Sequence, residues 1–254
     1  MSKERFDTLG NQKKLNYVLN DKLTVDDFVS EVTCGLNQPP NYFPVNVAMN
    51  KGINKTFNDI IKSGIKPLNT NKFKSLSEKA TVIDCRKPQE FANSHIPNSF
   101  FIGIDGGFAP WAASVMKKLD EDVLLLVEEG REHEAVTRLA RVGIDNTIGF
   151  LDGGILAWKN AGYKTEVVHS IDAVQFESEI NTESNIIDVR NNGEYANGHL
   201  KNSVFRPLDQ IDENISEYQS ETDYYIHCQG GYRSMIACSI LKANGVHNIT
   251  DIKG

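Results

Sequence analysis

Two stretches of this chain lie over one another without a gap. Thr81–Ser99 reads TVIDCRKPQEFANSHIPNS and Asn185–Ser203 reads NIIDVRNNGEYANGHLKNS. The pairs Ile83/Ile187, Asp84/Asp188, Arg86/Arg190, Glu90/Glu194, Ala92/Ala196, Asn93/Asn197 and His95/His199 are identical. The match continues from DVLLLVEEGREHEAVTRLARVGIDN into DYYIHCQGGYRSMIACSILKANGVHN when one or two loop positions slip. A duplicated unit of about a hundred residues must use one supersecondary plan twice, which removes most topologies from consideration.

Each copy has the same pattern. A short apolar run, Val82-Ile83 or Ile186-Ile187, leads into D-x-R and then an acidic helix start at Glu90 or Glu194. A second apolar run follows at Val123–Val127 or Tyr224–Ile226. The next segment places apolar residues at three and four spacing: Ala135, Val136, Leu139 and Val142, or Ile236, Ala237, Ile240 and Leu241. That is a helix, and Gly143 or Gly245 ends it. Strands alternating with helices predict an α/β fold, a parallel sheet with helices on both faces. Ligands of such sheets gather at the carboxyl ends of the strands. Cys228 stands at one of those ends.

The first seventy residues differ. LTVDDFVSEVTCG predicts a helix capped by Thr24, with Phe28, Val29 and Val32 on one face. NQPPNYFPVNVAMN reads as an extended, docked segment, and TFNDIIKSG as a second short helix.

The net charge of −7 argues against nucleic acid or an anionic membrane as the main partner. No run approaches the roughly 20 apolar residues of a membrane span, and MSKERFDTLGNQKK has no apolar leader core, so a cytoplasmic location is expected. The four cysteines, Cys34, Cys85, Cys228 and Cys238, form no C-x-x-C pair, and the six histidines form no H-x-H or H-E-x-x-H pattern. Free thiols and no metal site are therefore expected.

The segment YIHCQGGYRS, Tyr225–Ser234, carries the chemistry. A thiol at the tip of such a loop can attack sulfur, attack phosphorus, hold a metal or fill a core. Attack needs the thiolate. The helix that follows puts the equivalent of about half a positive charge at its N-terminus. Gly230 and Gly231 let the backbone curl so that successive N–H groups can face an anion. Gln229, Gly230, Gly231, Tyr232, Arg233 and Ser234 are therefore read as the substrate cradle, with Arg233 a fixed charge for an anionic substrate. Cys238 and Cys85 read as core thiols, and Cys34 says little. Asp188 and Arg190 straddle Val189 at strand alternation, and bracing the loops is preferred for them over touching substrate. His199 is read the same way, because His95 occupies its place in a copy without the thiol. His227 should face away from Cys228. Arg206 reads as a surface charge with pocket lining as the alternative, and Glu221 and Asp223 as solvated turn residues.

Together, D-x-R at Asp188–Arg190, E-Y-A-x-G-H at Glu194–His199 and C-x-x-G-x-R-S at Cys228–Ser234 resemble the signature of the rhodaneses, or sulfurtransferases. The resemblance spans Leu68–Gly254 and implies two tandem rhodanese-like domains. It also implies that Cys228 takes a sulfane sulfur as a persulfide and passes it to sulfite, cyanide or a thiol. Related phosphatases resemble C-x5-R, whereas four residues separate Cys228 from Arg233, which favours sulfur over phosphorus. The first copy reads VEEGRE at Val127–Glu132, without a cysteine, and its carboxylates would repel an anionic donor. It is expected to be silent. GGFAPWAAS, Gly106–Ser114, has no counterpart in the second copy, and its Phe108 and Trp111 read either as a contact patch or as local core.

EVTCGLNQPPNYFPVNVAMNKG is similar to the end of the metallo-β-lactamase-fold domain in persulfide dioxygenase–rhodanese fusions. That resemblance implies an incomplete domain at 1–67, a silent rhodanese at 68–167 and an active one at 168–254, within a sulfide-detoxifying enzyme. The H-x-H-x-D-H motif is absent here, so iron is expected only in the missing domain and no cofactor in this chain. The first copy continues as FLDGGILAWKNAGY into a closing helix while the second stops at DIKG, so a shortened second domain is expected. The implied partners are small anionic sulfur donors and thiol or sulfite acceptors, with homo-oligomerisation possible in principle. The competing expectations are a non-catalytic remnant or docking module and, more remotely, a phosphatase.

Overall fold

The computed structural model describes residues 6–19, 23–34, 42–44, 47, 56–116 and 118–254. Near the start, Val25–Thr33 is helical because Thr24 and Asp27 close a capping box: Thr24 Oγ1 accepts from the Asp27 N–H at 3.1 Å, and the Asp27 carboxylate faces the Thr24 N–H. No residue of this helix is buried. The expected extended segment at 37–50 lies mostly outside the described residues.

From residue 56 onward the duplicated plan is evident. The first repeat contains strands β1 (Pro67–Leu68), β2 (Thr81–Asp84), β3 (Phe100–Phe101), β4 (Val123–Leu126) and β5 (Thr147–Leu151). The second contains β6 (His169–Ile171), β7 (Asn185–Asp188), β8 (Ser203–Phe205), β9 (Tyr224–His227) and β10 (Ile249–Ile252). Their orders, β1-β5-β4-β2-β3 and β6-β10-β9-β7-β8, are the same, and every pairing within each sheet is parallel. Parallel sheets bury both faces, so their central strands can be apolar throughout. Val123–Leu126 obeys this, with all four residues at 0 % exposure. Register fixes the equivalence of the repeats. Asp84 pairs with Leu126 and Asp188 with His227, so Val127 takes the place of Cys228.

The expected short helix forms at Phe57–Gly64 under a Thr56 cap. Ile60 enters the core of the first repeat, and Gly64 lies so close to Val136 that a Cβ there would be 2.6 Å from its methyls. The first repeat's packing therefore begins before the expected boundary at 67/68, because this helix supplies part of its cover. In GGFAPWAAS, Phe108 is fully buried in that same core, while Trp111 packs against the cores of both repeats.

The repeats share a core. Phe91, Ala92 and Phe101 of the first join Ile187, Met235, Ile236 and Ile240 of the second. The long helix Tyr232–Ala243 is the second repeat's contribution, with Ser234–Leu241 buried. Tyr232 at its start crosses to the first repeat, where its hydroxyl donates to the Gly103 carbonyl at 2.7 Å and its ring meets Phe101 edge-on at 5.7 Å. Gly106 leaves room for that ring: a Cβ at this position would lie 2.3 Å from Tyr232 Cε2.

Candidate active site

Cys228 follows β9 directly, at the carboxyl end of the central strand, and is half-buried. Three residues later Gly231 adopts φ 73°, ψ −4°, and the next residue begins the helix. A left-handed residue leading into right-handed helix is the alternation that makes an anion-binding nest, and only glycine enters it at no steric cost. The thiol donates to Ser234 Oγ at 3.6 Å. Ser234 itself has no solvent exposure.

Arg233 is held by a partner that the sequence did not reveal. Its Nη1 and Nη2 donate to Glu194 Oε2 and Oε1 at 2.6 and 2.7 Å, a two-pronged ion pair. Glu194 Oε2 also accepts from the Asn191 N–H at 3.1 Å, capping its own short helix. The Arg233 bonds above all hold the Glu194 carboxyl down to about 2. The fork expected to orient substrate thus ties the loop to Asn192–Ala196. The Cys228 sulfur still acts on the Arg233 guanidinium electrostatically. The side chain of Tyr232, whose backbone belongs to the expected cradle, turns toward the first repeat.

Asp188 and Arg190 do come together. Arg190 Nη2 donates to Asp188 Oδ2 at 2.6 Å and to the Gly198 carbonyl at 2.8 Å, clamping the loop after β7. His199 Nδ1 donates to the Tyr195 carbonyl at 2.9 Å while its ring stacks on Tyr195 at 3.8 Å. His227 Nε2 faces Asp188 Oδ2 at 3.6 Å, and burial holds this histidine below its ordinary range. Arg206 pairs with Glu217 at 2.5 Å and lies over the Tyr218 ring. Cys85 and Cys238 are fully buried, with their thiols pushed well up by burial, and Cys34 is exposed.

The corresponding place in the first repeat is an open cleft of about 1010 Å³, lined in part by Arg86, Glu128, Glu129, Glu132, Phe150 and Asp152. Its loop arginine, Arg131, pairs with Asp105 at 2.8 Å and Glu134 at 3.0 Å rather than with Glu90. Five carboxylates, with Glu90 among them, and no thiol suit this cleft poorly to an anionic sulfur donor. Among the described residues no three His, Cys, Asp or Glu side chains converge to hold a metal ion, and no helix is long and apolar enough to cross a membrane.

Among curated proteins, the chain is similar to the uncharacterized protein YqhL of Bacillus subtilis, at 33% identity over 69 residues, covering 27% of this chain and 55% of that protein. It is also similar to a sulfurtransferase of Allochromatium vinosum, at 29% identity over 69 residues, covering 27% of this chain and 64% of that one. The chain spans about half the length of the curated relatives it matches. Among solved structures, it is similar to a rhodanese-like domain protein from Staphylococcus aureus, with TM-score 0.31 and 30% identity, covering 34% of this chain and 86% of that one. The family model described as the rhodanese-like domain matches twice, at residues 69–161 and 172–254. Strands β2–β5 fall within the first match and β7–β10 within the second, and the chain belongs to the rhodanese-like domain family, with two such domains in tandem.

Proposed function

We propose that the second repeat is a sulfurtransferase with Cys228 as its nucleophile. The observation that carries this reading is the half-buried thiol at the end of β9, followed by a glycine-turned loop entering a helix N-terminus. The Cys228 thiolate attacks the outer sulfur of thiosulfate or of a low-molecular-weight persulfide. The donor S–S bond breaks, sulfite or a thiolate leaves with the electron pair, and Cys228 holds a persulfide. An acceptor such as sulfite, cyanide or a thiol then attacks the outer sulfur and restores the thiolate. The Gln229–Ser234 backbone forms the anion cradle. Arg233 contributes charge near the sulfur and, through Glu194, fixes the shape of the loop. The short loop between Cys228 and Arg233 favours sulfur over a phosphate ester.

The reading extends to context. We place the chain in a persulfide dioxygenase–rhodanese fusion acting in sulfide detoxification in the cytoplasm, with the first rhodanese silent. The motif-level likeness of EVTCGLNQPPNYFPVNVAMNKG supports this. Iron would belong to a dioxygenase domain, and the sulfur transfer needs no cofactor here. Small anionic donors and sulfite or thiol acceptors are the partners. Homo-oligomerisation is compatible with this reading, and neither nucleic acid nor membrane has a part in it.

The test is mass spectrometry of the intact chain after incubation with thiosulfate or glutathione persulfide. One sulfur atom should be gained on Cys228, and Cys228→Ser should fold, gain none and lose transfer. An unmodified Cys228, or a Cys228→Ser variant with full activity, overturns the assignment and leaves a docking module or another thiol.

A further inference from the structure

Behind the nucleophile lies a carboxyl group that the mechanism above does not use. Asp251, on β10 beside Ile226 of β9, has no solvent exposure. Ser170 Oγ donates to its Oδ2 at 2.8 Å, while its Oδ1 is buried without a hydrogen-bond partner. Ser234, equally buried, stands next to both groups: its Oγ accepts from the Cys228 thiol, and its hydroxyl acts on the Asp251 carboxyl. A serine hydroxyl can accept from one neighbour and donate to another.

The silent repeat supplies the control. Phe150 pairs with Leu125 as Asp251 pairs with Ile226, so Phe150 replaces Asp251. Pro67 pairs with Phe150 as Ser170 pairs with Asp251. The segment Val127–Val136 contains no serine or threonine to replace Ser234. Thiol, hydroxyl and carboxyl are missing together, whereas the Asp–Arg and histidine contacts persist in both copies. An acid sealed inside a sheet costs stability, and scaffold alone would have kept it in both repeats or in neither.

We infer that Asp251 is a positioning residue for Cys228, acting through Ser234 to take up the proton that the thiol releases. The Cys228 S–H bond breaks as a new Ser234 O–H bond forms. Ser234's original O–H bond breaks as an Asp251 O–H bond forms. The negative charge moves from a sealed carboxylate to a half-exposed sulfur at a helix N-terminus, and no oxidant or reductant takes part. Burial raises the Asp251 carboxyl above its ordinary range, against the pull of the Ser234 and Ser170 hydroxyls, which suits it to accept a proton. The other groups acting on this carboxyl or on the sulfur are Lys253, just past its strand, and Cys238 and Arg233 in the helix that follows Cys228. Gln89 of the first repeat reaches Ser170 Oγ at 3.3 Å.

The inference rests on Cys228 being the nucleophile, and the test separates the two. In a Cys34→Ser background, which removes the exposed second thiol, iodoacetamide alkylation of Cys228 is followed against pH. Asp251→Asn should move the profile toward alkaline pH and slow alkylation at neutral pH roughly ten-fold, as the thiolate fraction falls. Ser170→Ala strengthens Asp251 as a base and should act in the opposite direction, accelerating alkylation about two-fold. A carboxyl that merely packs would let both variants slow the reaction or leave it unchanged. A superimposable Asp251→Asn profile, or slowing by Ser170→Ala, overturns the relay, and the Ser170→Ala arm decides if Asp251→Asn fails to fold. If the parent chain gains no sulfur from thiosulfate, it is the sulfurtransferase reading that falls. If it gains sulfur and the profile does not move, only the relay falls.

Discussion

In the first repeat Arg86 reaches Asp84 Oδ2 at 2.6 Å and the Ser94 carbonyl at 2.8 Å, and in the second Arg190 reaches Asp188 Oδ2 and the Gly198 carbonyl at the same distances. His95 stacks on Phe91 at 4.0 Å as His199 stacks on Tyr195 at 3.8 Å, and both rings are tilted by 8°. These contacts are made alike in a copy that has no cysteine after its central strand, as a bracing role for the D-x-R and histidine positions requires. The loops beyond the central strands differ in thiol, hydroxyl, carboxyl and arginine partner. What separates the two rhodanese-like domains here is that small group and not the brace.

The same comparison shows what burial does. Burial raises Asp84 above its ordinary range despite Arg86. At Asp188 burial pushes the same way, but Arg190 and His227 outweigh it and leave the carboxyl lowered. His95 is 1 % exposed, whereas His199 is exposed, because the linker after the first repeat and the second repeat cover the former.

If the brace is scaffold, breaking it should hurt both repeats alike. Arg86→Met and Arg190→Met should each lower stability by about 3–5 kcal/mol in denaturant titrations, since each strands a buried carboxylate. Persulfide formation per folded molecule should persist in both. Its loss in Arg190→Met alone would place that arginine in the chemistry.

His95 offers a smaller effect that depends on pH. Burial above all holds it down to about 4. Between pH 6.5 and 4 the unfolded chain binds a proton that the folded chain does not, so stability is full above about 6.5 and falls as the pH drops. The whole window is worth on the order of 3 kcal/mol. Unfolding midpoints at pH 7 and pH 5 should diverge in the parent chain and converge in His95→Gln. Equal divergence in both would remove His95 as the cause.

The smallest change tests how far the first repeat supports the Cys228 loop. Gly106→Val puts side-chain atoms where the Tyr232 ring lies, costing about 1–3 kcal/mol as an overpacked contact. Because Tyr232 begins the helix behind Cys228, sulfur transfer should fall as well. A variant with lowered stability and unchanged transfer would show that the loop holds its shape without the first repeat.

The repeat, the strand–helix alternation and the thiol at the end of a strand were legible because each is a local pattern: apolar runs of strand length, three-and-four spacing, and a cysteine followed by glycines. Thr24 could be read as a cap for the same reason, since capping joins residues three apart. The pairing of Arg233 with Glu194 was not, because 39 residues separate them and nothing in either segment names the other. Asp251 left a trace, an acid inside the apolar strand ITDI opposite Phe150 of the other copy, but its meaning depends on Ser234 lying beside it.

The order of residues alone determined that one α/β unit occurs twice and that only the second copy carries a thiol after its second apolar run, since periodicity and composition act within a few residues. The tertiary structure decided which charges meet, which acid is sealed, and that the first copy seats the Cys228 loop through Gly103, Gly106 and Tyr232. Those outcomes depend on desolvation and on contacts across the parallel sheets and between the repeats, and both arise only when segments far apart in the chain are packed together.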